Sequence, residues 1–105
     1  RSTECHNQDK VSMGTIAARD ALRVLTLTEQ VAAACLLAAV QGVEQRLARP
    51  TPLTRPLGTA LADMVVQVRA EFAPLLEDRA LEPELRALIA RIRQRHYPLY
   101  QDSSL

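Results

Sequence analysis

The stretch Val31–Val43, VAAACLLAAVQGV, carries apolar side chains all round its circumference when wound as a helix. A helix of that kind needs protein on every side. Around it, Ala18, Leu22, Leu25, Ala32, Leu36, Ala39, Val43 and Leu47 recur at three- and four-residue steps, which predicts one helix from a cap at Ser12 to about Ala48. At roughly 1.5 Å per residue it is about 50 Å long. Gly42 is expected to bend it or to permit a close contact. Between Glu29 and Glu44 lie 14 uncharged residues, short of the roughly 20 that span a bilayer, so the expected surroundings are protein and not membrane.

The remaining sequence does not supply that cover. Three prolines in RPTPLTRP (Arg49–Pro56) forbid a continuing helix and predict an extended connection at 49–56. A second helix, about Leu57 to Leu76, sets Leu57, Leu61, Met64, Val65, Val68, Phe72 and Leu75 on one face, with Pro74 in its last turn. A third begins at Pro83, with Glu82 and Glu84 at its positive end, Arg91, Arg93 and Arg95 at its negative end, and Leu85, Leu88, Ile89 and Ile92 as its stripe. Pro98 stops it, and 97–105 are expected to form a tail. No alternating strand pattern, repeat or low-complexity tract interrupts this reading, so the class is all-α: one long helix and two shorter ones. Two single-stripe helices and one phenylalanine cannot surround the long rod. Further surface has to come from missing sequence or from other subunits.

With 48% hydrophobic and 24% charged residues over 105 positions, the chain has the balance of one globular unit. A formal net charge of +1 gives no long-range field to recruit nucleic acid. Cys5 and Cys35 lack CxxC spacing, and Cys35 sits in the apolar run as a small hydrophobe. With no basic segment followed by an apolar stretch at the start, a cytoplasmic setting is expected. The chain opens on Arg1 and reads as a piece of something longer.

Chemistry-bearing residues concentrate in ECHNQD, Glu4–Asp9. Cys5 beside His6 suggests a thiol and its base, but adjacent residues rarely face each other and no third group is identifiable. Cys5, His6, Asp9 and the distant His96 match no familiar zinc spacing, and no metal is expected. Residue types alone leave two readings: Asp9 or Ser12 caps the helix among solvated neighbours, or the amides and carboxylate form a binding loop at the mouth of a buried helix. In RIRQRH, three arginines at a helix end read as a solvated terminus first and a phosphate patch second.

STECHNQDKVSMGTIAARDAL resembles the segment E-x-H-N-Q-D-x-(V/N)-S-(M/L)-G-x-x-(S/A)-A-R of the aromatic amino-acid ammonia-lyases and aminomutases, the superfamily that includes histidine ammonia-lyase. LLAAVQGVEQR is similar to that family's LLAAAQGLDLR, and PLLEDRALEPEL to its PLxxDRPLxPDI. The likeness runs in order over nearly the whole chain. It implies the family's large helical-bundle fold and homotetramer, and a methylidene-imidazolone (MIO) electrophile made by cyclising Ala-Ser-Gly. Residues 1–13 are then the active-site loop and 14–48 the core helix. Glu4 matches the acid near the substrate amine; Asn7 and Gln8 match the amide pair beside the prosthetic group. These types suit the work. A carboxylate within reach can take a proton from an ammonium, and neutral amides can hold an oxygen without adding charge. HNQD is closer to the phenylalanine and tyrosine enzymes than to the histidine enzymes, which tend to have QED, so an aromatic substrate is expected.

Two departures limit the implication. No Ala-Ser-Gly occurs in this chain, and Tyr97 and Tyr100 lie in the wrong region for the tyrosine that takes the β-proton. The expectation is therefore the C-terminal fragment of an ammonia-lyase or aminomutase that lends Glu4, Asn7 and Gln8 to a site completed elsewhere and is inactive alone. The alternative is a non-catalytic helical subunit that keeps the packing surface.

Overall fold

The computed structural model describes residues 13–98. Glu4, Asn7, Gln8 and the expected cap Ser12 lie outside the described residues. The regular structure described is entirely helical: α1 (Gly14–Leu47), α2 (Thr59–Glu71) and α3 (Glu82–Arg93). The fold is all-α.

Helix α1 runs unbroken for 34 residues, about 50 Å, where a compact domain of this length has a radius of gyration of only about 13 Å. It ends ahead of Pro50. There Arg46 reaches forward, donating from Nη1 to the Thr51 carbonyl (2.9 Å) and from Nη2 to that of Pro52 (3.2 Å), so the proline-rich connection is held to the end of the helix that it terminates. At Gly42 a Cβ would meet nothing within 4 Å, so the glycine serves no close contact among the described residues.

Only the C-terminal half of α1 is covered. Its Ala33 and Val40 join Met64 and Val68 of α2, Leu88 of α3, Phe72 and Tyr97 in the buried core, with Leu36, Leu37, Val65, Leu85, Ile89 and Ile92 packed around them. Helix α3 makes the broader contact with α1. On the rest of the rod, Leu22, Val24, Leu25, Leu27 and Val31 are each more than half exposed. The expected shortfall of cover is therefore present. Cys35, read as a buried hydrophobe, is exposed because α2 and α3 cover one side of α1 only.

The bare half is also chemically prepared for an apolar environment. Thr26 and Thr28 donate their hydroxyls to the carbonyls of Leu22 (3.0 Å) and Val24 (2.8 Å), one turn back, leaving neither hydroxyl proton in need of a partner. By length and composition α1 is apolar enough to cross a membrane, with an 18-residue window of mean hydropathy 1.5; the count of uncharged residues between Glu29 and Glu44 understated this. Those bounding carboxylates are paired with Arg93 of α3 and Arg69 of α2, which suits a protein surround.

Helix α2 stops at Glu71, short of the expected Leu76. Phe72 is already extended (φ −124°, ψ 114°), and Ala73, preceding Pro74, is disfavoured from helical geometry. Helix α3 matches its sequence signals, with proline in its first turn, Glu82 and Glu84 there, and Arg91 and Arg93 in its last.

Beyond α3 the Arg95 N–H donates to the Ile92 carbonyl (3.0 Å) and the His96 N–H to that of Arg91 (3.1 Å). Arg95 has φ 51°. This is a Schellman ending with arginine at the position that glycine usually takes. The turn redirects the chain so that Tyr97, assigned by sequence to the tail, is buried at 2% exposure. Its hydroxyl is buried without a hydrogen-bond partner, and burial, followed by the Glu71 charge, raises its pKa against a partial offset from Arg91. An unpaired buried hydroxyl costs free energy. Tyr97→Phe is thus expected to hold or raise stability by up to about 1 kcal/mol, read by thermal denaturation of the intact protein; a clear loss would mean that the hydroxyl is paired there.

Candidate active-site segment

The motif residues enter α1 through Met13, its N-cap (φ −98°, ψ 18°), which makes no side-chain capping bond. The Ala17 N–H closes the first turn on the Met13 carbonyl at 2.8 Å. No acidic residue lies in that turn. The first N–H groups of a helix have no intrahelical acceptor and form its positive end. Here that end directly follows the stretch containing Glu4, Asn7 and Gln8. Among the described residues, no three His, Cys, Asp or Glu side chains gather as a metal-binding group.

A second polar constellation lies near the other end of α1, about 40 Å along the rod at 1.5 Å per residue. Arg69 grips Glu44 with Nε (2.8 Å to each carboxylate oxygen) and Nη2 (2.6 Å), and donates from Nη1 to the Phe72 carbonyl (3.1 Å). The Gln41 amide pairs with the Leu75 backbone in both directions at 2.9 Å. Arg79 donates to the carbonyls of Ala73 and Pro74, each at 3.2 Å, and to Glu84 at 3.0 Å. Every carbonyl from Phe72 to Leu75 therefore has a side-chain donor. The ion pairs here are self-contained, so the cluster holds structure and offers no free acid or base.

Two more ion pairs fasten α3. Arg93 donates from Nε to Glu29 at 2.8 Å, and Arg91 from Nε to Glu71 at 2.9 Å. His96 lies 3.7 Å from the same Glu71 carboxylate. The basic run thus spends two of its three arginines on carboxylates of this chain, which removes the basis for a phosphate patch.

The hydrogen bond from Arg69, with its charge, holds the Glu44 carboxyl below its ordinary value of 4.5 against an opposing desolvation. The depressed folded-state pKa means that the pair stabilises fully above the unfolded carboxylate value and loses that contribution as pH falls through the lower folded one. A double-mutant cycle with Glu44→Gln and Arg69→Met is expected to give a coupling of about 1 kcal/mol at pH 7, modest because Glu44 is over a third exposed, and to shrink as acid titrates the carboxylate through its depressed folded-state value. A coupling that stays constant until the chain unfolds in acid would exclude charge as its source.

A family model described as aromatic amino acid lyase matches residues 1–70, including the ECHNQD stretch and all of α1. The chain belongs to the aromatic amino acid lyase family. Histidine ammonia-lyase of Caenorhabditis elegans is 42% identical over 92 residues, covering 88% of this chain and 13% of the relative. The Homo sapiens histidine ammonia-lyase is 44% identical over 86 residues, covering 82% and 12%. Tyrosine ammonia-lyase of Cereibacter sphaeroides is 36% identical over 93 residues, covering 89% and 17%. No solved structure matches. The chain thus spans less than a fifth of the length of these relatives.

Glu4, Asn7 and Gln8 lie within the matched residues 1–70. Sequence reasoning missed the Gln41–Arg69–Arg79 group. Its one local signal is Gln41, the only polar side chain other than the Cys35 thiol in the apolar stretch Val31–Val43.

Proposed function

We propose that this chain is the C-terminal part of an ammonia-lyase that removes ammonia from a ring-bearing α-amino acid to leave an arylacrylate. The observation that carries the reading is the family match over residues 1–70, which contains Glu4, Asn7 and Gln8. Glu4 takes the proton that the substrate ammonium sheds. Asn7 and Gln8 are neutral amides, donors that suit an uncharged oxygen-bearing prosthetic group. That group, the MIO of the family, supplies an electrophile for the substrate when present. This chain has no Ala-Ser-Gly from which to make it, so the electrophile comes from another segment. The bare half of α1 is covered by the rest of the polypeptide in a homotetramer, in the cytoplasm, with neither membrane nor nucleic acid required.

HNQD favours phenylalanine or tyrosine as substrate. The names of the histidine ammonia-lyase relatives favour a second reading, histidine. Incubating the intact protein separately with the three amino acids and following the ultraviolet absorbance of cinnamate, coumarate or imidazolylacrylate decides between them. Appearance of a β-amino acid in place of an acrylate makes the protein an aminomutase. No turnover, with no co-purifying polypeptide carrying a dehydrated, cyclised Ala-Ser-Gly by intact mass, leaves the non-catalytic assembly subunit.

A further inference from the structure

The chain leaves α2 at an extended Phe72, and each carbonyl of the next stretch is held: Arg69 holds that of Phe72, Arg79 those of Ala73 and Pro74, and Gln41 both polar groups of Leu75. Immediately after this clamp comes Leu76, 84% exposed and the most exposed of the large apolar side chains described. Fixing backbone beforehand removes an entropic cost of association. A leucine held out on a fixed strap is prepared for burial.

Beside the strap is a cleft of about 380 Å³ between α1 and α3, walled by Ala34, Leu37, Ala38, Gly42, Leu75 and Leu85. Its arginines are already spent on Glu44 and Glu84. That leaves no free cation to recruit an anionic small molecule, so the cleft suits an apolar occupant. Gly42 adds a second sign. Glycine inside a helix costs about 0.5–1 kcal/mol, and among the described residues nothing outside its own stretch of helix approaches within 4 Å of where its Cβ would be. Together with Ala34 and Ala38 at four-residue spacing, it leaves a low wall against which another helix can seat closely.

We infer that the cleft and Leu76 form one docking surface for an apolar helix of the same lyase polypeptide lying outside these 105 residues. The choice of occupant follows from length, since this chain accounts for only 12–17% of the relatives cited above. It rests on the proposed reading of the chain as part of a longer lyase. The clamp then has a purpose: it presents Leu76 to that helix in a fixed pose.

The test is Leu76→Cys in the intact protein, labelled with a maleimide at several protein concentrations and read peptide by peptide by mass spectrometry, with the urea-unfolded protein setting the free rate. The expected result is labelling about 100-fold slower than the free rate or less, independent of concentration, and accelerated by Gln41→Ala, which loosens the strap. Labelling within about threefold of the free rate overturns the inference. Protection lost on dilution overturns it in favour of a second copy. An intact mass of only 11.6 kDa overturns the longer-polypeptide reading, whereas rapid labelling of a larger protein that still releases an arylacrylate overturns the docking surface alone.

Discussion

Glu4→Gln in the intact protein is expected to lower kcat about 10²–10⁴-fold, the usual contribution of a positioned general base, with assembly and melting temperature unchanged. Glutamine keeps the shape and one oxygen of glutamate but cannot accept the ammonium proton. Because the loss falls on proton removal, kcat is expected to fall more than substrate affinity, and raising the pH is expected to recover part of it by deprotonating the amine in solution. Steady-state kinetics from about pH 7 to pH 10, using acrylate absorbance, check both. Wild-type turnover would take Glu4 out of the chemistry, and a broken assembly would make its role one of packing.

Leu88→Ala is expected to carry the largest stability loss in the described region, about 3 kcal/mol by comparison with buried leucines elsewhere. Leu88 is fully buried at the centre of α3, in the core cluster that it shares with residues of α1 and α2. Its truncation leaves a cavity that short, ion-paired helices cannot easily collapse into. The reading is local: faster hydrogen exchange across α3 in the intact protein, with the N-terminal turns of α1 unaffected. Arg86→Ala is the matched control, since its pair with Glu82 is well solvated on both sides and contributes little. Similar exchange in both variants would show that α3 is held by polypeptide outside this chain and not by its own core.

How much of this was legible beforehand depends on the range of the interaction. Helix α3 could be read almost to the residue, because Pro83, the flanking glutamates and the terminal arginines act within one turn of where they stand. The extent of α1 followed from its periodicity and from Pro50. The end of α2 was misjudged because the apolar spacing continues through Phe72 and Leu75. What overrides it is Pro74, together with donors such as Gln41, 34 residues away. The Glu29–Arg93 pair joins residues 64 apart, and no window of local sequence contains both. Tyr97 was assigned to the tail because nothing nearby announces that an arginine will adopt φ 51° and turn the chain inward. At the candidate site, residue types alone left a cap and a binding loop in competition; the long motif around them identified the family, and the family match over residues 1–70 followed.

Support from the described residues gathers at the C-terminal half of α1, while Leu22, Val24, Leu25 and Leu27 of the other half keep more than half of their surface open. Under the proposed function that open half is where the remaining polypeptide would add its packing, so cover for the helix and completion of the site would arrive together.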